Sequence, residues 1–447
     1  MKAIAELARD LASGRTTARR LVDECLERIA DDSGEGARAF ISTAPQRARA
    51  AADASDAQRA HGAAPSPYAG IPIAIKDLAD VAGEVTAAGS RALADQPPAA
   101  ADAPVVARLK QAGFVILGRT NMTEFAFSGL GLNPHYGTPK SPFERSVGRI
   151  PGGSSCGTAV AVADGMAAMG LGTDTGGSCR IPAAFCGITG YKPTASRVPL
   201  DGIVPLSTSM DSVGPLARTV ECCAIGDAVM AGAPVSLPAP RPLANVRLAA
   251  IQDFVLSDLD DTVARTYAKA LSRLSTAGAS IVEVPFPELN ELPAINAKGG
   301  LAASEAYAWH RELLASKGEV YDQRVRGRIA NGANQSAADY IDLLAARRRL
   351  IAAAEARLAG FDAYVLPSVA VIPPTIASLE RDEDYMRINL LCLRNTAVGN
   401  FLDSCAISLP IHAPGEAPVG LMLQALPGQD RSLFSVALAV EAALAND

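Results

Sequence analysis

The sequence predicts an α/β fold carried by one large domain, and three observations lead there. Between Gly70 and Leu117 a short apolar strand, a helix and a second strand follow one another, the rhythm of a parallel sheet with crossover helices. Hydrophobic residues make up 49% of the 447 positions and charged residues 20%, enough for a deep core and too apolar for general disorder. The length would also suit two or three ordinary domains, but no internal repeat or low-complexity linker divides the chain.

Along residues 1–65 the pattern is helical. Leu21, Val22, Cys25, Leu26 and Ile29 recur at helical spacing, and 43–62 form an Ala/Arg-rich amphipathic stretch. The strand Gly70–Ile75 alternates its isoleucines and ends at Lys76-Asp77. A helix over 102–112 follows, with Asp102 and Pro104 suiting its first turn, and then a strand over 114–117. From Ser128 to Gly157 the chain is rich in Gly, Pro and Ser and has no period, which predicts a long loop of the functional kind. A second loop is expected over 170–182, after a small-residue helix. Beyond Pro234 the spacing predicts strands over 246–251, 281–284, 364–366, 406–409 and 420–424. Helices are expected over 261–277, 302–315, 336–358 and 431–444.

Composition excludes several functions. With 41 basic and 47 acidic residues the net charge is −6, so there is no broad electrostatic reason to bind nucleic acid or an anionic membrane. Glu6, Arg9 and Asp10 interrupt the N-terminus where a signal peptide needs an apolar run, and the stretch 159–172 is too short and too polar to span a bilayer. Eight cysteines without CxxC pairing read as reduced thiols, hence a cytoplasmic protein. The four histidines (61, 135, 310, 412) form no metal-ligand spacing, and the glycines match no nucleotide-binding fingerprint, so neither metal nor cofactor is expected.

Serine chemistry remains. Two clusters stand out, Gly152-Gly-Ser154-Ser155-Cys156-Gly157 and Asp174-Thr175-Gly176-Gly177-Ser178-Cys179-Arg180. Glycines ahead of a serine let backbone amides converge on one point and hold an oxyanion; the same residues also make ordinary tight turns, and composition does not choose between the two. Gly153-Ser-Ser155-Cys-Gly157 fits the GxSxG nucleophile elbow, with His310 or His412 as base. That motif needs a strand running into the serine, and Pro151 with its flanking glycines breaks the approach. Lys76, at the end of an apolar strand, is the better base: burial would disfavour its charge and leave a neutral amine. The alternative is a surface pair with Asp77.

The stretch Gly152–Ala183, GGSSCGTAVAVADGMAAMGLGTDTGGSCRIPA, resembles the signature of the amidase signature family. GIPIAIKD, GRTNMTEFA and CGITGYKPT are similar to its other recurrent blocks, densely from about Gly70 to Pro215, and the closing PVGLMLQAL also fits. The resemblance implies a single domain over 1–447 around a central mixed, mostly parallel sheet with helices on both faces. It places the catalytic core at 70–215 and a helical substrate-covering region at 235–360. It implies Lys76 as base, Ser154 as a bridging serine after a cis peptide bond, and Ser178 as nucleophile. The backbone amides of Thr175, Gly176, Gly177 and Ser178 would form the oxyanion hole, with Ser155, Asp174 and Arg180 in support. Met122, Gly129, Leu130 and Cys179 would line the substrate pocket. Cys156 and Cys179 depart from the usual residues, and Cys179 would either line the pocket, sensitising the enzyme to thiol reagents, or point into the core. Arg324, Arg326 and Arg328 would either bind a substrate carboxylate or form a solvated helix face.

The implied function is an amidohydrolase that works through a seryl acyl-enzyme on a small-molecule amide, with no cofactor, nucleic acid or membrane partner. A homodimer is compatible with that reading. The lack of an apolar N-terminal helix and of a further domain after Asp447 speaks against a membrane fatty amide hydrolase and a two-domain allophanate hydrolase. Two alternatives stay open: the amidase subunit of a glutamine-dependent amidotransferase, and a non-catalytic binding relative.

Overall fold

The computed structural model describes residues 1–445. Its strands are β1 (Phe40–Thr43), β2 (Pro72–Lys76), β3 (Val115–Thr120), β4 (Met169–Asp174), β5 (Thr189–Lys192), β6 (Ser212–Ala217), β7 (Arg247–Ile251), β8 (Ser280–Val284), β9 (Ala363–Pro367), β10 (Cys405–Pro410) and β11 (Gly420–Ala425). They form one sheet in the order β1-β3-β2-β4-β6-β5-β10-β11-β9-β7-β8. The sheet is mixed and flanked by helices, as expected, but it is not mostly parallel. Only β2 with β3 and β4, and β7 with β8 and β9, run parallel; the other six pairings are antiparallel. The strand–helix–strand rhythm visible in the sequence belongs to those two parallel blocks. Between them β6 reverses against both β4 and β5, and β10 folds back on β11 as a hairpin-like pair, which needs no crossover helix.

Most expected elements are present within a residue or two, including the helices Ala18–Ala30, Pro45–Ala60, Pro104–Gln111, Asp261–Thr276, Gly300–Lys317, Ala337–Leu358 and Asp430–Leu444. The loop expected over 170–182 is a correction. Its first half is β4, buried throughout, and its end opens the helix Arg180–Cys186. The glycines there answer to close approach rather than to turning: a Cβ on Gly172 would lie 2.4 Å from Leu216 of β6. β5, β6 and the helices Val220–Ala231 and Asp382–Phe401 have no counterpart in the sequence expectations. β6 contains Gly214 and Pro215, which read as breakers, and Asp382–Phe401 buries Asn389, Asn395 and Asn400, which interrupt its apolar period.

The main core packs helices against the sheet around Ile73, Val160, Leu171, Leu216 and Ile407. Two smaller clusters matter for the site. One joins Met122 and Phe125 to Tyr321, Val325 and Ile329; the other joins Leu130 and Ile181 to Tyr385 and Cys392. Together they fasten the helices Gln323–Ala330 and Asp382–Phe401 over the long loop and the C-terminal ends of β2 and β4. Among the described residues no helix is long and apolar enough to cross a membrane.

Candidate active site

Parallel pairing of β2 with β4 brings Lys76 and Thr173-Asp174 to one edge of the sheet. Two loop-to-helix turns meet that edge: Ser154-Ser155 just before the helix Cys156–Ala163, and Thr175–Cys179 just before Arg180–Cys186. Lys76 is fully buried, and its Nζ donates to Ser154 Oγ (2.8 Å) and Thr173 Oγ1 (2.7 Å). Burial pushes its pKa down from a lysine's ordinary 10.5 to about 8, against the opposing pull of Cys179, Cys156, Asp174 and Asp211. The surface-pair alternative fails: Asp77 is itself buried and bonds to Arg119 (3.3 Å) and the Gly89 amide (3.0 Å).

The peptide bond between Gly153 and Ser154 is cis. The Ser155 amide donates to the Ser178 carbonyl (3.3 Å), and the Ser155 hydroxyl to the Thr173 carbonyl (3.4 Å), so the two serine segments and β4 are joined. Ser178 is 4% exposed, and among the described residues its hydroxyl has no hydrogen-bond partner, whereas that of Ser154 is held by Lys76.

Asp174 organises the Thr175–Cys179 loop from beneath. Its carboxylate accepts from the Gly177 amide (2.9 Å), the Cys179 amide (3.1 Å), Arg180 Nε and Nη2 (3.0 and 2.9 Å) and Asn400 Nδ2 (2.9 Å). Burial alone would lift its pKa; the Arg180 guanidinium, with Lys192 and Asn400, outweighs that and holds it to about 2. The Gly177 amide, expected among the oxyanion donors, is thus engaged with Asp174, whereas the amides of Gly176 and Ser178 meet no acceptor among the described residues. Gly177 adopts φ +133°, and a Cβ there would come within 2.1 Å of Thr396 Oγ1, so only glycine fits.

Several residues at the site carry no recognisable sequence signal. Thr173 holds Lys76. Asp211 accepts from Thr175 Oγ1 (2.5 Å) and from the amides of Leu206 and Ser207 (2.9 and 3.0 Å), pinning the start of the Thr175–Cys179 loop. Thr396 donates to the Gly176 carbonyl (2.6 Å) from the other side. These threonines and acids look ordinary in the chain, and only their convergence from β4, β6 and the helix Asp382–Phe401 marks them.

Gly129 lies against the Gly153-Ser154 turn: its carbonyl accepts from the Gly153 N–H (2.8 Å), and a Cβ there would touch Ile181 and Leu393. Leu130 and Met122 are buried in the two clusters beneath. Cys179, expected as a pocket residue, turns instead into the core with its thiol toward the Gly214 carbonyl (3.7 Å), and burial pushes its pKa far up. Cys156 is buried too, its thiol raised to about 12. His310 bonds to Tyr321 (2.9 Å) and packs edge-on to Phe125, and His412 lies beside Gly187, so neither serves Ser155. Arg324 is engaged with Asp382 (2.7 Å), Arg326 lies beside Gly318, and Arg328 sits over the Phe127 ring at 4.8 Å.

Comparison with known proteins identifies the family. The family model described as Amidase matches residues 20–434. The chain is 37% identical to 2-amino-5-chloromuconic acid deaminase of Comamonas testosteroni, over 98% of this chain and 95% of the relative. It is 34% identical to a glutamyl-tRNA(Gln) amidotransferase subunit of Chromohalobacter salexigens, again over 98% and 95%. A crystal structure of an amidase superposes with a TM-score of 0.89 at 32% identity, covering 99% of both chains. The chain therefore belongs to the amidase family, hydrolases that act on carbon–nitrogen amide bonds.

Proposed function

We propose that this protein cleaves a carboxylic amide through a seryl acyl-enzyme, with Ser178 as nucleophile, Ser154 as proton relay and Lys76 as base. The observation that carries the reading is the buried, depressed Lys76 amine bonded to Ser154 one loop away from an unengaged Ser178 hydroxyl. A neutral lysine has one lone pair. In the structure Nζ donates to both Ser154 Oγ and Thr173 Oγ1; once deprotonated, it keeps an N–H on Thr173 Oγ1 and turns its lone pair to the Ser154 hydroxyl. Ser154 passes its proton to Lys76 and takes the proton of Ser178 as Ser178 Oγ attacks the amide carbonyl. The Gly176 and Ser178 amides receive the oxyanion, each such donor contributing about 3 kcal/mol in the transition state. Ser154 then returns the proton to the departing nitrogen, which leaves as ammonia or an amine. Water repeats the sequence on the ester. Ser155, Asp174 and Arg180 shape the loop without touching the reacting atoms.

The eight thiols, all unpaired and buried, support a reducing, cytoplasmic setting, and the reading extends to a homodimer that size-exclusion chromatography would reveal. Release of ammonia from a panel of amides, with sulfonyl fluoride labelling of Ser178 read by mass spectrometry, tests the mechanism. Ser178→Ala and Ser154→Ala should each lower turnover by a factor of about 1,000 or more; near-normal turnover in Ser178→Ala would refute the assignment. The likeness to an amidotransferase subunit supports a second reading, ammonia delivery to a partner. Co-purification with other subunits, and glutamine as the only amide cleaved, would favour it.

A further inference from the structure

Glu305 is a half-buried carboxylate that the hydrolytic machinery leaves unused. It stands on the helix Gly300–Lys317, whose Ala303 and Ala306 share a core cluster with Leu206, Val325 and Ile329. Among the described residues, the hydrogen bonds it accepts all come from uncharged donors. Its Oε2 takes the Ser207 hydroxyl (2.6 Å) and the Ser209 amide (3.0 Å), and its Oε1 takes the Tyr340 hydroxyl (2.8 Å). A carboxylate drawn partly out of water usually meets a cation; this one serves a turn and a tyrosine.

That turn, Leu206–Asp211, leads straight to the site. It closes on itself at Ser207, whose carbonyl accepts from the amides of Met210 and Asp211 (3.0 and 2.8 Å). Asp211 holds the Leu206 and Ser207 amides with one oxygen and the Thr175 hydroxyl with the other. Ser207, fully buried, is therefore tied to Asp211 through its backbone and to Glu305 through its side chain. Arg347, on the same helix as Tyr340, adds a bond from Nη1 to the Ser209 carbonyl (3.1 Å). Two acids on one short turn repel each other. Burial lifts the Asp211 pKa to about 6 and the Glu305 charge adds to the rise, against the hydrogen bonds from Thr175, Leu206 and Ser207. A fold keeps a local cost of this kind where the geometry serves a site.

We infer that Glu305 is a positioning residue for amide hydrolysis: through the Leu206–Asp211 turn and the Asp211–Thr175 bond it sets where the Gly176 and Ser178 amides stand against the reacting carbonyl. This role rests on the hydrolytic reading above and extends its machinery to the helices Gly300–Lys317 and Ala337–Leu358. Glu305 acts through Asp211 and not on the substrate. What the turn needs from it is an acceptor. Glutamine keeps one oxygen for Ser207 and Ser209 and turns its Nε2 to the Tyr340 oxygen, whereas alanine leaves all three donors unmet.

Steady-state amide hydrolysis, with hydrogen exchange read by mass spectrometry, tests it. Glu305→Ala should lower kcat by about 10- to 30-fold and move KM by less than about twofold, while Glu305→Gln stays within about threefold of the wild-type kcat. Added to Asp211→Asn, Glu305→Ala should deepen the loss by no more than about twofold, because both act on one turn. Exchange over 174–180 and 204–212 should quicken in Glu305→Ala and not in Glu305→Gln. A wild-type kcat in Glu305→Ala, a loss confined to KM, equal losses in the alanine and glutamine variants, or losses that multiply in the double variant each overturn the role. If Glu305→Ala does not fold, Ser207→Ala and Tyr340→Phe each delete one of the same bonds. Each should then lower kcat by about 3- to 10-fold at constant KM, and an unchanged kcat in both refutes the role. If the wild type cleaves no amide and Ser178 takes no label, the hydrolytic reading fails instead. The coupling is then read by exchange alone, and unchanged exchange over 174–180 in Glu305→Ala, or in Ser207→Ala and Tyr340→Phe in its place, refutes it.

Discussion

Replacing Lys76 by methionine should abolish activity and at the same time stabilise the fold at neutral pH. Lys76 is fully buried, and its pKa falls from 10.5 in the unfolded chain to about 8 in the folded one, a difference equivalent to roughly 3 kcal/mol of folding free energy. The sign follows from proton counting. Below pH 8 both states hold the proton, and the folded state carries the full penalty of a buried charge. Between pH 8 and 10.5 the unfolded chain binds the proton and the folded chain does not, so stability rises with pH across that window and levels off above it. Methionine has similar length and no charge, so the variant loses this rise and gains up to about 3 kcal/mol at pH 7, less the two hydrogen bonds that Lys76 makes to Ser154 and Thr173. Melting midpoints of both proteins from pH 6.5 to 9.5 measure the difference between the curves. The matching kinetic signature is a wild-type kcat/KM that climbs about tenfold per pH unit below 8 and flattens above, because only the neutral amine accepts a proton. A wild-type stability curve parallel to that of Lys76→Met, or a kcat/KM that does not change between pH 6.5 and 9, would refute the buried-base argument.

Two further outcomes follow from the same geometry. Asp211→Asn weakens the acceptor that holds Thr175 and should lower kcat by about 10- to 100-fold with little change in KM, because the loop amides are displaced from the oxyanion rather than from the substrate; a KM effect alone would contradict the loop-pinning role. The thiols are all buried, and burial raises Cys156, Cys179 and Cys392, so Ellman's reagent should titrate fewer than one of the eight in the native protein and leave amide hydrolysis intact; rapid inactivation would show Cys179 to be accessible.

The blocks proposed to be catalytic stood out in the sequence because such chemistry constrains consecutive residues. Gly-Gly-Ser154-Ser155 and Thr175-Gly-Gly-Ser178 must make tight, amide-presenting turns, and Lys76 must end an apolar strand, so each leaves a local pattern. The two parallel blocks of the sheet were legible for a similar reason, since each crossover needs a helix between its strands. What failed in the sequence reading were features with conflicting local signals. β4 and β6 carry glycine and proline at positions of close strand contact, and the helix Asp382–Phe401 buries asparagines where an apolar period is expected.

By itself the sequence determined the reaction class and the three side chains proposed to carry it, because a nucleophile, a relay and a base of the right types stand in ordered local motifs. Tertiary structure alone decided what surrounds them. Thr173, Asp211, Thr396 and Asn400 become site residues only when three separate elements converge, and Cys179 leaves the pocket only because β6 offers its thiol a buried carbonyl. The same holds for Arg324 and Arg328. One turn apart on a helix, they are equivalent in the chain, and only packing gives one of them a carboxylate and leaves the other without. Such partners come from 35 to 226 residues away, and no local pattern encodes a distance of that kind.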